Sequence, residues 1–454
     1  MNSATSPRHL FKKTLVAMTA LVCAPLCTSA WSIDLSQAYR AALQEDSTLR
    51  AARAANAARS ERIPLALSQL LPNIAANATR NRNALESSTP NVFGNLVTSN
   101  SNYNSASTTL TLRQPIFRKY QVADYLQAQA QVDDANAILE REVQNISVRV
   151  SGAYFEALLT AEQLALVLAQ KTTYTSQFDA AKKRFAAGIG TRTDIDEAQA
   201  ALDLNVAQEL EARQNVDFTR RQLQTLINQP IDDLATLAPE KLVLALPLPN
   251  RLEDWTEHAE AESPEIHSLK AQIVAAGYEV EKAEAGHYPT LDVTAQLSRT
   301  QSDTVTSINY RYNNKSIGLQ LSVPLYAGGS VNAATRQALA DKERLEQQLE
   351  ALRRDLGVRV HREFRGVTEG VLKIKALEQA VRSTGQVAVS SRRSFEAGSR
   401  TLNEVLNAEQ LKVTAQRDLA QARYVYLISR VRLQSLSGSP KTEVIDEING
   451  WLKL

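Results

Sequence analysis

The sequence predicts a mainly helical fold with a small β part, built from two internal repeats. Two long segments have helical periodicity, each ends at a glycine break, and four short segments alternate apolar and polar residues as strands do. The two breaks align without a gap at an offset of 210, so that Phe185 and Gly188 fall on Phe395 and Gly398. We therefore expect the same unit twice in one chain.

Residues 1–30 are predicted to be a secretory signal peptide. Three basic residues precede an apolar run from Leu15 to Leu26, and small residues follow before Trp31. Both cysteines, Cys23 and Cys27, lie in this segment, so the exported chain is expected to have no disulfide and no thiolate metal site. A lipid anchor at either cysteine is a weaker alternative, because the residue before each is larger than lipoprotein cleavage prefers.

The first repeat is expected to cover residues 31–228. It begins with an alanine-rich helical pattern that ends at Leu71-Pro72. A β-hairpin at 73–113 follows, with strands at 73–83 and 106–113 and a polar loop between them. A long helix to about residue 187, the first glycine break and a helix over 192–228 complete this repeat. Residues 229–251 are predicted to be a linker.

The second repeat, residues 252–437, has the same order of elements. A helical pattern ends at Tyr288-Pro289, and a hairpin at 291–323 follows, with strands at 291–298 and 316–323. In both strands apolar residues alternate with polar ones, which predicts one apolar and one polar face. A long helix over 328–397, the second glycine break and a helix over 401–436 follow. Residues 438–454 form a short tail.

Composition argues against several classes of function. The chain has 51 Lys and Arg against 49 Asp and Glu, and three of the basic residues lie in the leader, so the exported chain is nearly neutral and no nucleic-acid partner is expected. No catalytic site, cofactor or metal site is expected either. The histidines after the leader have neither metal-ligand spacing nor a neighbouring nucleophile motif: they are His258, His267, His287 and His361.

The strand segments suggest a membrane protein without a membrane-spanning helix. After the leader there is no run of 18 apolar residues, whereas the four strands have the length and alternation of outer-membrane barrel strands. Small barrels need about eight strands, so several chains would have to contribute to one barrel. The alternative is a soluble sheet that caps a coiled coil, as in a periplasmic scaffold or adhesin without a pore.

Motifs in both repeats support the first interpretation, because the chain resembles the TolC family of outer-membrane efflux and type I secretion channels. The resemblance covers essentially the whole exported chain and has the motifs in the family's order. They are Leu71-Pro72, Gln114-Pro-Ile-Phe117, Ala153-Tyr-Phe155, Arg184-Phe-Ala-Ala-Gly188, Tyr288-Pro289, Val323-Pro-Leu-Tyr326, Gly398-Ser-Arg-Thr401 and Ala422-Arg-Tyr-Val-Tyr426.

The resemblance implies a homotrimer in the outer membrane of a Gram-negative bacterium. Three chains of four strands would form a 12-stranded transmembrane β-barrel in contact with outer-membrane lipid, and their long helical hairpins would form an α-barrel tube across the periplasm. The tip of the tube would dock a periplasmic adaptor protein, joined to an inner-membrane transporter that is either ATP-driven (ABC) or proton-driven. The exported substrates would be secreted proteins, small toxic compounds, or both.

The same resemblance assigns residues at the tip by their position in the family's motifs. The periplasmic gate would use Asp194 and Thr193 as acceptors, Arg400 as a donor from another protomer, and Gln177. The pore constriction would be formed by Glu404 and Asn407. The adaptor-docking tip would consist of Gly188, Gly190, Gly398 and Ser399.

Three gate positions depart from the family pattern. Phe395 replaces a tyrosine that bonds the aspartate, Arg392 replaces the acidic partner of Gln177, and Asn407 replaces one of two constriction aspartates. A simpler role for the carboxylates also remains open. Asp194 and Glu404 each follow a threonine at capping-box spacing, so both could serve only to begin a helix.

Overall fold

The computed structural model describes residues 32–304, 307–438 and 442–453. The predicted signal peptide lies outside these residues. The helices are α1 (Leu35–Glu45), α2 (Ser47–Ser60), α3 (Arg62–Ser68), α4 (Lys119–Ala186), α5 (Arg192–Ile227), α6 (Leu252–Glu262), α7 (Pro264–Glu284), α8 (Ser330–Glu396), α9 (Leu402–Leu436) and α10 (Thr442–Gly450). The strands are β1 (Asn73–Pro90), β2 (Leu96–Phe117), β3 (Thr236–Leu237), β4 (Thr290–Thr304), β5 (Ser307–Ser322) and β6 (Leu452–Lys453).

Two long helical hairpins dominate the fold, as the sequence predicts. Helices α4 and α8 contain 68 and 67 residues, which corresponds to about 100 Å each. Helix α4 packs on α5, α7 and α9, and α8 packs on α7 and α9. Most helical stability comes from such lateral contacts, because intrinsic propensity alone supports only marginal helices in water.

One stretch of α4 is apolar enough to be compared with a membrane span. Its most apolar 18-residue window has a mean hydropathy of 1.2, and a third of that window is buried within the chain. The helix lies against α1, α2, α3, α5, α7 and α9, so its apolar side chains have protein partners. The length and apolar composition of α4 are therefore only weak evidence that this helix spans a membrane.

The helical segment predicted before the first strand is divided into three helices. Asp46 separates α1 from α2, because its carboxylate accepts the amide of Leu49 at 2.8 Å and so caps α2. The third helix restarts at Arg62, which places Pro64 in a first turn where the missing N–H costs little. In the second repeat, Ser263 occupies the N-cap position of α7 without a side-chain capping bond, and the first residue of α7 is Pro264.

The strands form an antiparallel sheet of order β1-β2-β4-β5, with β1 and β5 at its edges. The predicted hairpin loops are mostly wrong, because β1 and β2 continue to pair as far as Pro90 and Leu96. The extension is rich in Asn, Ser and Thr, which are poor strand signals, yet these side chains bond across the strands: Ser88 and Thr98 lie 2.7 Å apart. Strands β4 and β5 extend in the same way.

The linker and the tail lie together beside the middle of the long helices. Strand β3 of the linker pairs with β6 of the tail. The fully buried Tyr154 of α4 donates its hydroxyl to the carbonyls of Ile33 and Ala235 at 3.0 and 2.9 Å, which ties the start of the chain and the linker to α4. These contacts belong to the main hydrophobic core.

Candidate functional site

The two glycine breaks adopt the same turn. Gly188 and Gly398 have φ angles of +76° and +79°, a region that glycine enters without strain. In the first turn the amide of Ile189 donates to the carbonyl of Arg184 at 3.0 Å, and in the second the amide of Ser399 donates to the equivalent carbonyl at 2.9 Å. Both are Schellman ends, which satisfy the last carbonyls of α4 and α8.

The helices after the breaks begin with capping boxes. The hydroxyl of Thr191 accepts the amide of Asp194 at 3.1 Å, and the Asp194 carboxylate accepts the amide of Thr191 at 2.9 Å. Thr401 and Glu404 repeat the arrangement, and the amide of Thr401 holds the pKa of Glu404 below its usual value. The capping role of both carboxylates is therefore confirmed, which leaves a gating role as an addition to it.

An apolar cluster joins the two hairpins near this end. Its buried members come from α4, α5 and α9, and Phe395 of α8 packs against them. The guanidinium of Arg184 lies 4.5 Å from the centre of the Phe395 ring, a cation–π contact between α4 and α8. Sequence spacing does not predict this contact, in which Phe395 contributes an aromatic face in addition to lacking the tyrosine hydroxyl.

The predicted gate residues are close to the tip but are not joined within one chain. Arg400 donates to the hydroxyl of Ser391 at 2.7 Å, whereas the Asp194 carboxylate is engaged by its helix cap. Thr193 is exposed. Both polar atoms of the Gln177 side chain are buried and have no hydrogen-bond partner among the described residues. Arg400, Asp194 and Thr193 are thus accessible to a contact from another chain, whereas the polar atoms of Gln177 are covered within its own chain.

The departures from the family pattern have structural consequences. Arg392 does not contact Gln177 and instead pairs with the nearly buried Glu409 at 3.1 Å, which links α8 to α9. Glu404 and Asn407 are both exposed on α9, and Asn407 donates to Asn403 at 3.1 Å.

A buried polar layer connects the hairpins farther from the tip. Gln170 of α4 donates to the Tyr174 hydroxyl at 2.7 Å and to the Gln410 amide oxygen of α9 at 2.8 Å, and it accepts from Asn205 of α5 at 3.2 Å. Gln170 and Asn205 are almost completely buried. Sequence patterns do not predict this layer, because its members lie on three different helices.

The sheet has one apolar face and one polar face, as predicted. Its apolar residues lie in neighbouring positions on all four strands. We call this set the apolar band: Ile74, Ala76, Leu110, Leu112, Val293, Ala295, Leu297, Ile317, Leu319 and Leu321. Most of its large side chains are at least 40% exposed in the single chain, and Ile317 reaches 80%. An apolar surface of this kind in one protein requires lipid or a partner to cover it.

An ion-pair cluster on the polar face fixes the sheet to the helices. Asp292 of β4 is buried and accepts from Arg113 of β2 at 2.7 Å and from Arg118, just before α4, at 2.7 Å. Each arginine uses two nitrogen atoms. The cluster therefore fixes the angle at which β2 continues into α4.

No metal-binding group of three or more His, Cys, Asp or Glu occurs in the described parts of the chain. His267 bonds the carbonyl of Ala261 at 2.9 Å, and His287 bonds the Asn332 side chain at 3.1 Å.

Comparison with known proteins assigns the chain to a family. The family model described as "Outer membrane efflux protein" matches residues 38–229 and 255–439. The chain is 34% identical over 420 residues to the alkaline protease secretion protein AprF of Pseudomonas aeruginosa, covering 92% of this chain and 86% of that protein. It is 29% identical over 456 residues to the outer membrane protein TolC of Escherichia coli K12, covering 97% of this chain and 89% of TolC.

A solved structure has the same fold. The CmeC outer membrane channel of Campylobacter jejuni superposes with a TM-score of 0.75 at 15% identity, over 99% of both chains. The family match and the relatives do not support the alternative of a scaffold or adhesin without a pore. Members of this family are transport channels, and the expected fold class and localisation are confirmed. The chain belongs to the outer membrane efflux protein family and is a TolC-like channel of the Gram-negative outer membrane that serves efflux or type I secretion.

Proposed function

We propose that three copies of this chain form one export channel that connects an inner-membrane transporter to the cell exterior through a periplasmic adaptor. The observation that carries the proposal is the four-stranded sheet, which has an apolar face and two unpaired edges, β1 and β5. Open edges do not persist in lipid, because each unsatisfied backbone group there costs several kcal/mol. Pairing β5 of one copy with β1 of the next removes both edges and gives a closed barrel of 12 strands.

The tip formed by Gly188, Gly190, Gly398 and Ser399 is the proposed adaptor-docking surface. Ile189 between the first two glycines is 68% exposed, so this turn offers an apolar contact to a partner. The equivalent position in the second repeat is Ser399, which makes the two turns chemically different. An adaptor could therefore distinguish the two hairpins of each protomer.

The resting gate is proposed to lie next to this tip. Arg400 of one protomer would bond Asp194 and Thr193 of another, and Glu404 with Asn407 would line the constriction. Gln177, whose polar atoms are buried in the single chain, would have to turn outward to take a partner from a neighbouring chain. A single exposed ion pair contributes only about 0–1 kcal/mol. Several such links, repeated in three protomers, would keep the channel closed while each remained easy to break.

Asp194→Ala and Arg400→Ala are each expected to increase single-channel current in a planar bilayer. Loss of about 1 kcal/mol per link corresponds to about a fivefold change in the opening equilibrium. Asp196→Ala is the matched control, since Asp196 lies in the same helical turn and pairs only with the exposed Arg192.

The two variants also separate gating from capping. Arg400→Ala leaves the helix cap of Asp194 intact, so an increase in both variants supports the inter-protomer link. An increase in Asp194→Ala alone would assign the effect to the lost cap. Unchanged current in both, with the protein inserted, would contradict the gate but not the channel.

A secreted protein is the proposed cargo, because AprF is named for alkaline protease secretion and shares 34% identity over most of this chain. We expect this chain to restore protease secretion in a host that has the AprF-dependent transporter and adaptor but lacks AprF. Extracellular protease activity is the measurement, with an Asp194→Ala form as the control for a leaking channel. Restored tolerance to toxic compounds without secretion would favour efflux of small molecules instead.

A further inference from the structure

The outward face of the sheet changes from apolar to cationic at the end farthest from the helices. The helices attach at the ends of the strands near Asn73, Phe117, Thr290 and Ser322. Past the apolar band in the other direction, five basic residues occupy the same face. We call them the cation belt: Arg80, Arg82, Arg299, Arg311 and Lys315.

Strand register places these residues on that face. Leu297 of the apolar band pairs with Lys315. Two residues farther along β4, Arg299 pairs with Thr108, which in turn pairs with Ala78.

The next set of paired residues on this face lies farther from the helices. Gln301 pairs with Arg311 on one side and Ala106 on the other, and Ala106 pairs with Arg80. Arg82 follows two residues later on β1. From Leu297 to Gln301 the distance along the strand is about 14 Å, so most of the belt lies within a narrow layer.

The cations are available to an external partner. All five side chains are exposed, and none forms an ion pair with a carboxylate among the described side chains. The carboxylate on β1 of this face, Glu86, lies two rows beyond Arg82. The sequence adds Asp303 next along β4, outside the side chains that the structure describes. Positive charge remains in excess.

Barrel closure would concentrate this charge at the seams between protomers. Arg80 and Arg82 are on the edge strand β1, and Arg311 and Lys315 are on the other edge strand, β5. These two strands would meet between neighbouring copies of the chain, so four of the five cations would lie on the two strands of each seam. This step rests on the trimeric barrel proposed above.

We propose that the cation belt binds the phosphate groups of a phosphorylated glycolipid in the outer leaflet of the outer membrane. The tube lies in the periplasm, so the end of the sheet away from the helices is in the outer leaflet. Guanidinium groups bind phosphate oxygens through paired, charge-assisted hydrogen bonds. Arg and Lys on a lipid-facing surface are unfavourable at the membrane midplane but nearly neutral near the interface, which agrees with their position at the end of the apolar band.

The test compares binding of lipid A carrying two, one or no phosphates to the detergent-solubilised channel. The variant is the triple substitution Arg80→Gln, Arg82→Gln and Arg311→Gln, which removes the seam guanidiniums. Its matched control is Arg344→Gln, Arg354→Gln and Arg365→Gln, three exposed arginines on α8 whose partners are also exposed. Channel current in a bilayer verifies that both triple variants still assemble.

We expect the wild-type channel to prefer the lipid with two phosphates, and the belt variant to bind it at least about tenfold more weakly. The α8 control should bind as the wild type does. Equal affinity in wild type and belt variant, or binding that does not depend on phosphate number, would overturn the proposal. Displacement of the lipid by millimolar inorganic phosphate would also overturn it, because that result indicates a site for free anions. If the belt variant still conducts while its lipid binding falls, the cation belt binds lipid and the trimer forms without it. Loss of current in the belt variant would instead contradict the assumption that the belt is not needed for assembly.

Discussion

Replacing Asp292 with alanine is expected to destabilise the assembled channel by about 3 kcal/mol. The side chain of Asp292 is only 3% exposed and holds two guanidinium groups. Removing one partner of a buried ion pair leaves the other charge without compensation, which typically costs about 3–5 kcal/mol. Because Arg113 is half exposed and can be hydrated, the lower end of that range applies.

The position of the Asp292 ion-pair cluster means that its loss affects assembly more than the free energy of the ion pairs alone suggests. Asp292 is on β4, Arg113 is on β2 and Arg118 immediately precedes α4, so three segments lose their common contact. Freed strand ends at the junction of sheet and helices would disturb the pairing that each protomer offers its neighbour. We therefore expect both less inserted trimer and a lower temperature of trimer dissociation.

The measurement is the dissociation temperature of the proposed trimer, purified in detergent, with strand content followed by circular dichroism. Asp341→Ala on α8 is the matched control, since Asp341 forms an exposed pair with Arg344 at 3.5 Å and should change stability little. Asp292→Asn keeps a neutral acceptor and should fall between wild type and alanine. A dissociation temperature equal to that of the control would show that the cluster contributes nothing to assembly.

The features that the sequence predicted well are those set by local chemistry. Glycine breaks with a threonine and a carboxylate at fixed spacing determine where α4 and α8 end and α5 and α9 begin, and the predicted boundaries lie within about two residues of the observed ones. Alternation in β4 and β5 likewise predicted the two faces of the sheet, because strand side chains alternate with a period of two.

Strand length was harder to predict, because it depends on pairing between segments. Asn, Ser and Thr in residues 84–105 favour loops when read one strand at a time. In the structure several of these polar residues face another across β1 and β2, such as Ser87 opposite Ser99 and Ser88 opposite Thr98, so the hairpin continues well past the apolar band. Apolar alternation therefore predicts strands only as far as the edge of that band.

The candidate site shows the same limit for side chains. Spacing identified the caps at Asp194 and Glu404, but it did not identify the contact of Arg184 with Phe395 or the pair of Arg392 with Glu409. These contacts join residues on different helices, and their partners depend on how α4, α8 and α9 pack. The proposed links between protomers require a further level, namely the assembly of three chains.

Replacing Gln170 with leucine is expected to open the channel more than either tip variant does. Gln170 is the central member of the buried polar layer, and its loss leaves the buried Asn205 amide without a partner. The exposed Gln410 oxygen keeps only the Tyr174 hydroxyl, at 3.3 Å. Each buried group left unsatisfied costs about 1–3 kcal/mol, compared with about 0–1 for an exposed tip pair. The layer joins α4 and α5 to α9, so its loss weakens the hold of one hairpin on the other.

Single-channel current again provides the measurement, with Gln199→Leu as the control because Gln199 bonds only the exposed Asp203, on its own helix, at 2.7 Å. The double variant Gln170→Leu with Asn205→Leu separates two explanations, because it also removes the buried amide that the single change leaves unpaired. Replacing both partners by apolar groups of similar size can be nearly neutral, so current should return toward the wild-type level if the cost of unpaired polar groups drives opening. Current that stays high in the double variant would mean that the hydrogen bonds themselves hold the hairpins together. Current unchanged in Gln170→Leu would place the resistance to opening entirely at the tip, where links of small individual energy would have to act together.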